Sequence, residues 1–161
     1  MNTNDSHILL VEDHPDDAFL TLYALRKLQL TNVVVRENVA TALDYLRKTL
    51  DADRTGSLLP KMLLMDLNMP GLNGIDFIRI IRRTGPLSTL PVVVLTSSSR
   101  ELHRMECIEL GITAYLNKPQ DHKAFALVMR TAGMADAPHQ VPLAPPTAQQ
   151  KGPKHEATPR P

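Results

Sequence analysis

Short apolar runs alternate along this chain with stretches whose apolar residues repeat every three or four positions. The runs are His7–Val11, Val33–Val35, Met62–Met65, Pro91–Leu95 and Ile112–Leu116. The third and fourth are apolar throughout, which predicts strands covered on both faces, the habit of a parallel sheet. The first predicted helix carries Phe19, Leu20, Tyr23, Ala24 and Leu28 at helical spacing, its apolar face widened by Leu22 and Leu25. Asn38 caps the second, with Ala42, Leu43, Leu46 and Leu50 on one side. The third runs from Ile75 to Arg83 and stops at Gly85-Pro86. The fourth spans Arg100 to Leu110, with Gly111 as its stop. Asp121 opens the fifth, which holds Phe125, Val128 and Met129 and ends at Gly133. Five strands alternating with five helices predict a doubly wound α/β domain. Residues 51–60 are polar and exceed the usual connection of about two to six residues. They read either as an extension of the second helix or as a surface insert.

Composition alters this picture at one end. Seven of the thirteen prolines lie between Pro138 and Pro161, among Ala, Gln, Lys and Thr. Such a stretch has little apolar bulk to offset the entropy of ordering. The expected division is a folded domain over 1–135 and a Pro-rich disordered tail over 136–161. A net charge of +1 gives no broad field for nucleic acid or acidic lipid. Cys107 is the single cysteine, so no disulfide framework exists, and a reducing cytoplasm is the expected setting. The polar start, Met1 to Ser6, does not suit a signal peptide, and no apolar segment approaches the roughly 20 residues of a membrane helix.

Candidate chemistry gathers at the strand ends. Glu12-Asp13 follow the first strand, Asp66 ends the third, Thr96 ends the fourth, and Lys118 follows the fifth. Parallel strands bring their carboxyl ends to one edge, where open α/β sheets place their ligands. Three carboxylates there repel one another, and a hard divalent cation removes the conflict. With no His or Cys in the set, the cluster suits Mg²⁺ or Mn²⁺ rather than zinc. An Asp carboxylate can attack phosphorus to give an aspartyl-phosphate. Lys118 can neutralise charge on the phosphoryl oxygens, and the Thr96 hydroxyl can donate to one of them.

The set Glu12-Asp13, Asp66, Thr96 and Lys118-Pro119 resembles the receiver domain of two-component response regulators. The run Asp-x-Asn-Met-Pro-Gly-x-x-Gly from Asp66 to Gly74 meets the spacing of that family, and the match covers about residues 7–133. The resemblance implies a flavodoxin-like five-stranded sheet in the order 2-1-3-4-5. It implies that Asp66 is the phospho-acceptor, Asp13 the direct metal ligand and Glu12 the outer one, acting through water. Asn68 would give its main-chain carbonyl to the metal. Lys118 would pair with the phosphoryl group and join Pro119 by a cis bond. Thr96 and Tyr115 occupy the switch positions, so that the face made by the fourth helix, fifth strand and fifth helix would change on phosphorylation. Position 12 holds Glu where Asp is commoner. The implied partner is a sensor histidine kinase. Glu-Asp-His-Pro-Asp-Asp after the first strand and the long connection at 51–60 also resemble the small regulators paired with phytochrome-type histidine kinases. That likeness implies a homodimer through the face made by the fourth helix, fifth strand and fifth helix.

Other readings compete at single positions. Asp16 and Asp17 read as helix caps, although the resemblance also places acidic residues near this pocket. Ser97, Ser98 and Ser99 read as caps or phosphate contacts, with Ser97 the better phosphate-binding candidate. Arg79, Arg82 and Arg83 read as a solvated face rather than a nucleic-acid site. A phosphatase of the haloacid-dehalogenase type also uses an Asp nucleophile, but it needs an acid two residues later, where this chain has Asn68. A flavodoxin-like cofactor binder needs a phosphate-cradling loop after the first strand, where the chain has Glu12, Asp13, Asp16 and Asp17 instead. The expected role is therefore a phosphoryl-accepting switch that contacts other proteins and carries no catalytic output of its own.

Overall fold

The computed structural model describes residues 7–118 and 121–135; the Lys118-Pro119 bond and the tail over 136–161 lie outside them. The strands are β1 (Ile8–Val11), β2 (Val33–Arg36), β3 (Met62–Met65), β4 (Val92–Thr96) and β5 (Ala114–Asn117). The helices are α1 (Pro15–Lys27), α2 (Val39–Ala52), α3 (Gly74–Arg83), α4 (Glu101–Glu109) and α5 (His122–Thr131). A 3-10 turn, Gly85–Leu87, precedes β4. The strands form one parallel sheet in the order β2-β1-β3-β4-β5. Among the described residues no helix is long and apolar enough to cross a membrane.

Side chains alternate across each strand, so each face of the sheet builds its own core. Leu9, Val11, Leu63, Met65, Val92 and Val94 pack under α2 and α3, with Cys107 of α4. Ile8, Leu10, Met62, Leu64, Val93 and Leu95 pack under α1 and α5, against Leu25, Phe125 and Met129. This is why β1 and β3 are apolar at every position, and β4 at every position before its last residue, Thr96.

Local chemistry fixes the ends of the elements. The Asn38 side chain accepts from Thr41 N–H at 2.9 Å, and Asp121 accepts from Lys123 N–H at 2.9 Å, both as expected for N-caps. Gly111, at φ +67°, ends α4; its N–H donates to Ile108 O and that of Ile112 to Cys107 O, the paired bonds of a Schellman cap. Ile112 is thereby spent on the cap, and β5 begins at Ala114 rather than at Ile112. Residues 51–60 combine both readings open to them. Helix α2 continues to Ala52, and the loop beyond it is organised by Asp53. The Asp53 carboxylate accepts from Thr55 N–H, Leu58 N–H and the hydroxyls of Thr55 and Ser57. Those bonds hold its carboxyl well below the usual range.

Helix α1 departs from its predicted face. Thr21, Ala24 and Leu25 are buried, while Phe19, Leu20 and Tyr23 are 67%, 56% and 47% exposed. An apolar face widened by Leu22 and Leu25 leaves the rotation of the helix undetermined by periodicity, and packing chose the side with the smaller residues. Lys27 partly covers Tyr23, its ammonium 4.7 Å from the ring centroid.

Candidate functional site

Register places the site. Val11 pairs with Met65 across β1 and β3, so Glu12 and Asp66 leave the sheet side by side, and Asp66 N–H donates to Val11 O at 3.2 Å. On the other flank Thr96 pairs with Asn117, and Lys118 N–H donates to Thr96 O at 2.8 Å. Glu12, Asp66 and Thr96 are buried, and Asp13 is exposed.

The four predicted strand ends do converge, and Lys118 is their centre. Its ammonium donates to Glu12 Oε2 at 2.5 Å, Asp66 Oδ2 at 2.9 Å and Asp17 Oδ2 at 2.9 Å. Its charge is secured in consequence. Burial works to lower its pKa, and the bonds to Glu12, Asp17 and Asp66 outweigh that and raise it. Burial raises the pKa of the Glu12 carboxyl, against the pull of Lys118 and of the His14 N–H. The other oxygen of Asp66, Oδ1, accepts from Asn68 N–H at 2.9 Å. Carboxylate oxygens of Glu12, Asp13 and Asp66 lie within 4.8 Å of one another. An all-oxygen, all-anionic donor set of this kind fits a hard cation such as Mg²⁺ or Mn²⁺.

The remaining candidates line the same edge. Thr96 Oγ1 accepts from Ser98 N–H at 3.1 Å, and Ser97 Oγ accepts from the Asn68 side-chain amide at 3.2 Å. Tyr115 is half-buried and donates its hydroxyl to Ser98 O at 3.3 Å. Its pKa is raised by burial first and by Cys107 second. The loop between β4 and α4 is thus tied to Asn68 on one side and to Tyr115 on the other. Ser98 takes the nearest thing to a cap role, its Oγ accepting from Arg100 N–H at 3.3 Å.

Two expectations need correction. Neither Asp16 nor Asp17 is a helix cap: the N-cap of α1 is His14, which makes no side-chain cap bond, both acids lie within the first turn, and Asp17 turns its carboxylate to Lys118. The sequence held one signal for this, an acidic residue in the first turn of a helix that starts beside the cluster. Arg82 is no solvated charge either. Its guanidinium donates to the carbonyls of Ser88, Leu90, Leu110 and Gly111, joining α3 to the end of α4, and Arg79 bridges Asp76 and Glu106.

Known proteins share this arrangement. Residues 8–130 match the response regulator receiver domain family. The chain is 35% identical over 116 residues to the alkaline phosphatase synthesis transcriptional regulatory protein SphR of Synechococcus elongatus. That alignment takes in 71% of this chain and 43% of SphR, so the chain spans less than half the length of that relative. The solved bacteriophytochrome response regulators RtBRR and AtBRR are each 38% identical to it. RtBRR superposes with a TM-score of 0.69, covering 82% of this chain and 80% of its own; AtBRR does so at 0.67, covering 82% and 95%. With five strands in the flavodoxin-like order and an acidic edge gathered around one lysine, the chain belongs to the receiver-domain family of response regulators.

Proposed function

We propose that this receiver domain accepts a phosphoryl group on Asp66 from a sensor histidine kinase and passes the signal on through protein contacts. The observation that carries the reading is the Lys118 ammonium held against Asp66, with Glu12 and Asp13 beside them. Asp66 would supply the attacking carboxylate oxygen, and Lys118 a fixed cation for the phosphoryl oxygens. Thr96 would turn its hydroxyl from Ser98 N–H to a phosphoryl oxygen, and Ser97 would add a second hydroxyl. Glu12, Asp13, Asp66 and the main-chain carbonyl of Asn68 would hold Mg²⁺, or Mn²⁺ in its place. The ion, when bound, supplies positive charge against the phosphoryl group. The chain then works as a switch, limited to its own phosphorylation and dephosphorylation.

The output surface in this reading is the face of α4, β5 and α5. Tyr115 of β5 lies behind the β4–α4 loop and would follow Thr96 inward when that loop closes. Leu102, Met105 and Ile108 of α4 and Leu127 of α5 are exposed, which supports a protein partner or a second copy of the chain there. The likeness to RtBRR and AtBRR supports a phytochrome-type kinase as donor, and the lone, free Cys107 supports a reducing cytoplasmic setting. Neither membrane nor nucleic acid enters. Residues 1–135 would suffice, so a chain cut after Ala135 should fold and take up phosphate like the full one.

Incubation with labelled acetyl phosphate and Mg²⁺ tests the reading. The wild type should gain label, whereas Asp66→Asn and wild type treated with a chelator should not. Equal uptake, or equal lack of it, by wild type and Asp66→Asn removes the proposal.

A further inference from the structure

We infer that Asp17 is a positioning residue for phosphoryl transfer, the exchangeable counter-ion that parks Lys118 in the resting protein and limits capture of an anionic donor. The inference rests on the phosphoryl-acceptor reading. An ammonium has three protons to donate, and Lys118 has three carboxylate partners, so every donor is in use. In the transfer, a carboxylate oxygen of Asp66 bonds to phosphorus as the bond from phosphorus to the donor oxygen breaks. The leaving group, acetate from acetyl phosphate, departs with the electron pair. The phosphoryl oxygens then need a hydrogen bond donated by the Lys118 ammonium, and one existing partner must give way.

Burial decides which partner it is. The Glu12 side chain is 2% exposed, so leaving it without Lys118 strands a charge away from water. Asp66 carries the phosphoryl group itself. The Asp17 side chain is 39% exposed, and water can take the place of Lys118 there at small cost. Asp17 also stands on the first turn of α1, so it can let go of Lys118 without disturbing the strand ends that hold Glu12 and Asp66. Until it is released, its negative charge opposes an incoming phosphodonor, and its hold on Lys118 removes the cation that would attract one.

The test is uptake from acetyl phosphate as a function of donor concentration, at low and high salt. Asp17→Asn and Asp17→Ser should need about threefold less donor or lower still for half-saturation at low salt, with the maximal rate nearly unchanged. The gap should shrink as salt rises, as expected for a partly exposed charge. Asp17→Glu keeps the charge and should behave as wild type. Thermal unfolding of each variant shows that the fold is intact. If wild type shows Asp66-dependent uptake and both neutral variants match it in half-saturating concentration at low salt, the inference falls and the acceptor reading stands. A neutral variant that lowers only the maximal rate also overturns it. If wild type shows no Asp66-dependent uptake, both fall together.

Discussion

At the scale of single residues, the site divides by how each side chain is recruited. Glu12, Asp13, Asp66, Thr96 and Lys118 were legible because each closes an apolar run, and parallel strands force their ends together. Asp17 was read less well, because its partner lies 101 residues away and an acidic residue in the first turn suits the helix end as well as an ion pair. Arg82 was misread for the same reason: its acceptors are main-chain carbonyls, which a sequence does not display. Cys107 illustrates a residue that burial silences. It lies in the core beneath α4, and burial first, with Glu106 adding to it, pushes its thiol up to about 11. The thiolate is the reactive form. Iodoacetamide at about pH 8, where a free thiol is partly ionised, should leave the native protein unmodified and alkylate it rapidly in denaturant. Fast labelling of the native chain would show that Cys107 is not enclosed.

At the scale of elements, endings were read better than orientations. The glycine stops of α4 and α5 and the caps of α2 and α5 follow from local chemistry and were visible in the sequence. Helix α1 ends in the same Schellman pattern, with Gln29 at φ 62° where glycine is usual, so its stop carried no signal. The rotation of α1 was hidden because apolar residues occupy more of its surface than the sheet can cover. Gly74 joins element to site. It begins α3, and a Cβ there would meet Met65 Cε at 2.9 Å, Leu67 Cα at 3.0 Å and Asp66 O at 3.1 Å. Two of those atoms are main chain around the acceptor and cannot move away cheaply. Gly74→Ala should therefore cost about 1–3 kcal/mol of stability by denaturant unfolding. It should also slow phosphate uptake, because the strain falls on the Asp66 peptide. A variant as stable as wild type would show that α3 stands off from β3.

At the scale of the whole molecule, the sheet order was legible only through the family resemblance, since alternating strands and helices fit more than one doubly wound order. What periodicity did settle was the layering, with apolar positions on both sides of β1, β3 and β4 and helices over each. The edge of the domain also carries a pH-sensitive tie. Tyr45 of α2 and His7, just before β1, share a hydrogen bond between Tyr Oη and His Nε2 at 2.9 Å, with Arg36 4.6 Å above the Tyr45 ring. Burial, and then the charge of Lys61, lower the His7 pKa below its ordinary 6.5. The unfolded chain therefore binds this proton more readily than the folded one. Stability from neutral His7 is complete above 6.5 and is lost as pH falls from there through the lowered folded value. Between about pH 7 and about pH 5, His7→Gln should lose less stability than wild type, as read by thermal unfolding; equal losses would remove the tie. The central claim, that Asp66 is the phosphoryl acceptor, is tested most directly by trapping the acyl phosphate. After incubation with acetyl phosphate and Mg²⁺, borohydride reduces a phosphorylated aspartate to homoserine, which peptide mass spectrometry locates in the chain. Homoserine at position 66 alone is the expected result; its appearance at position 13 or 17 instead, or at no position in a protein that has taken up phosphate, contradicts the claim.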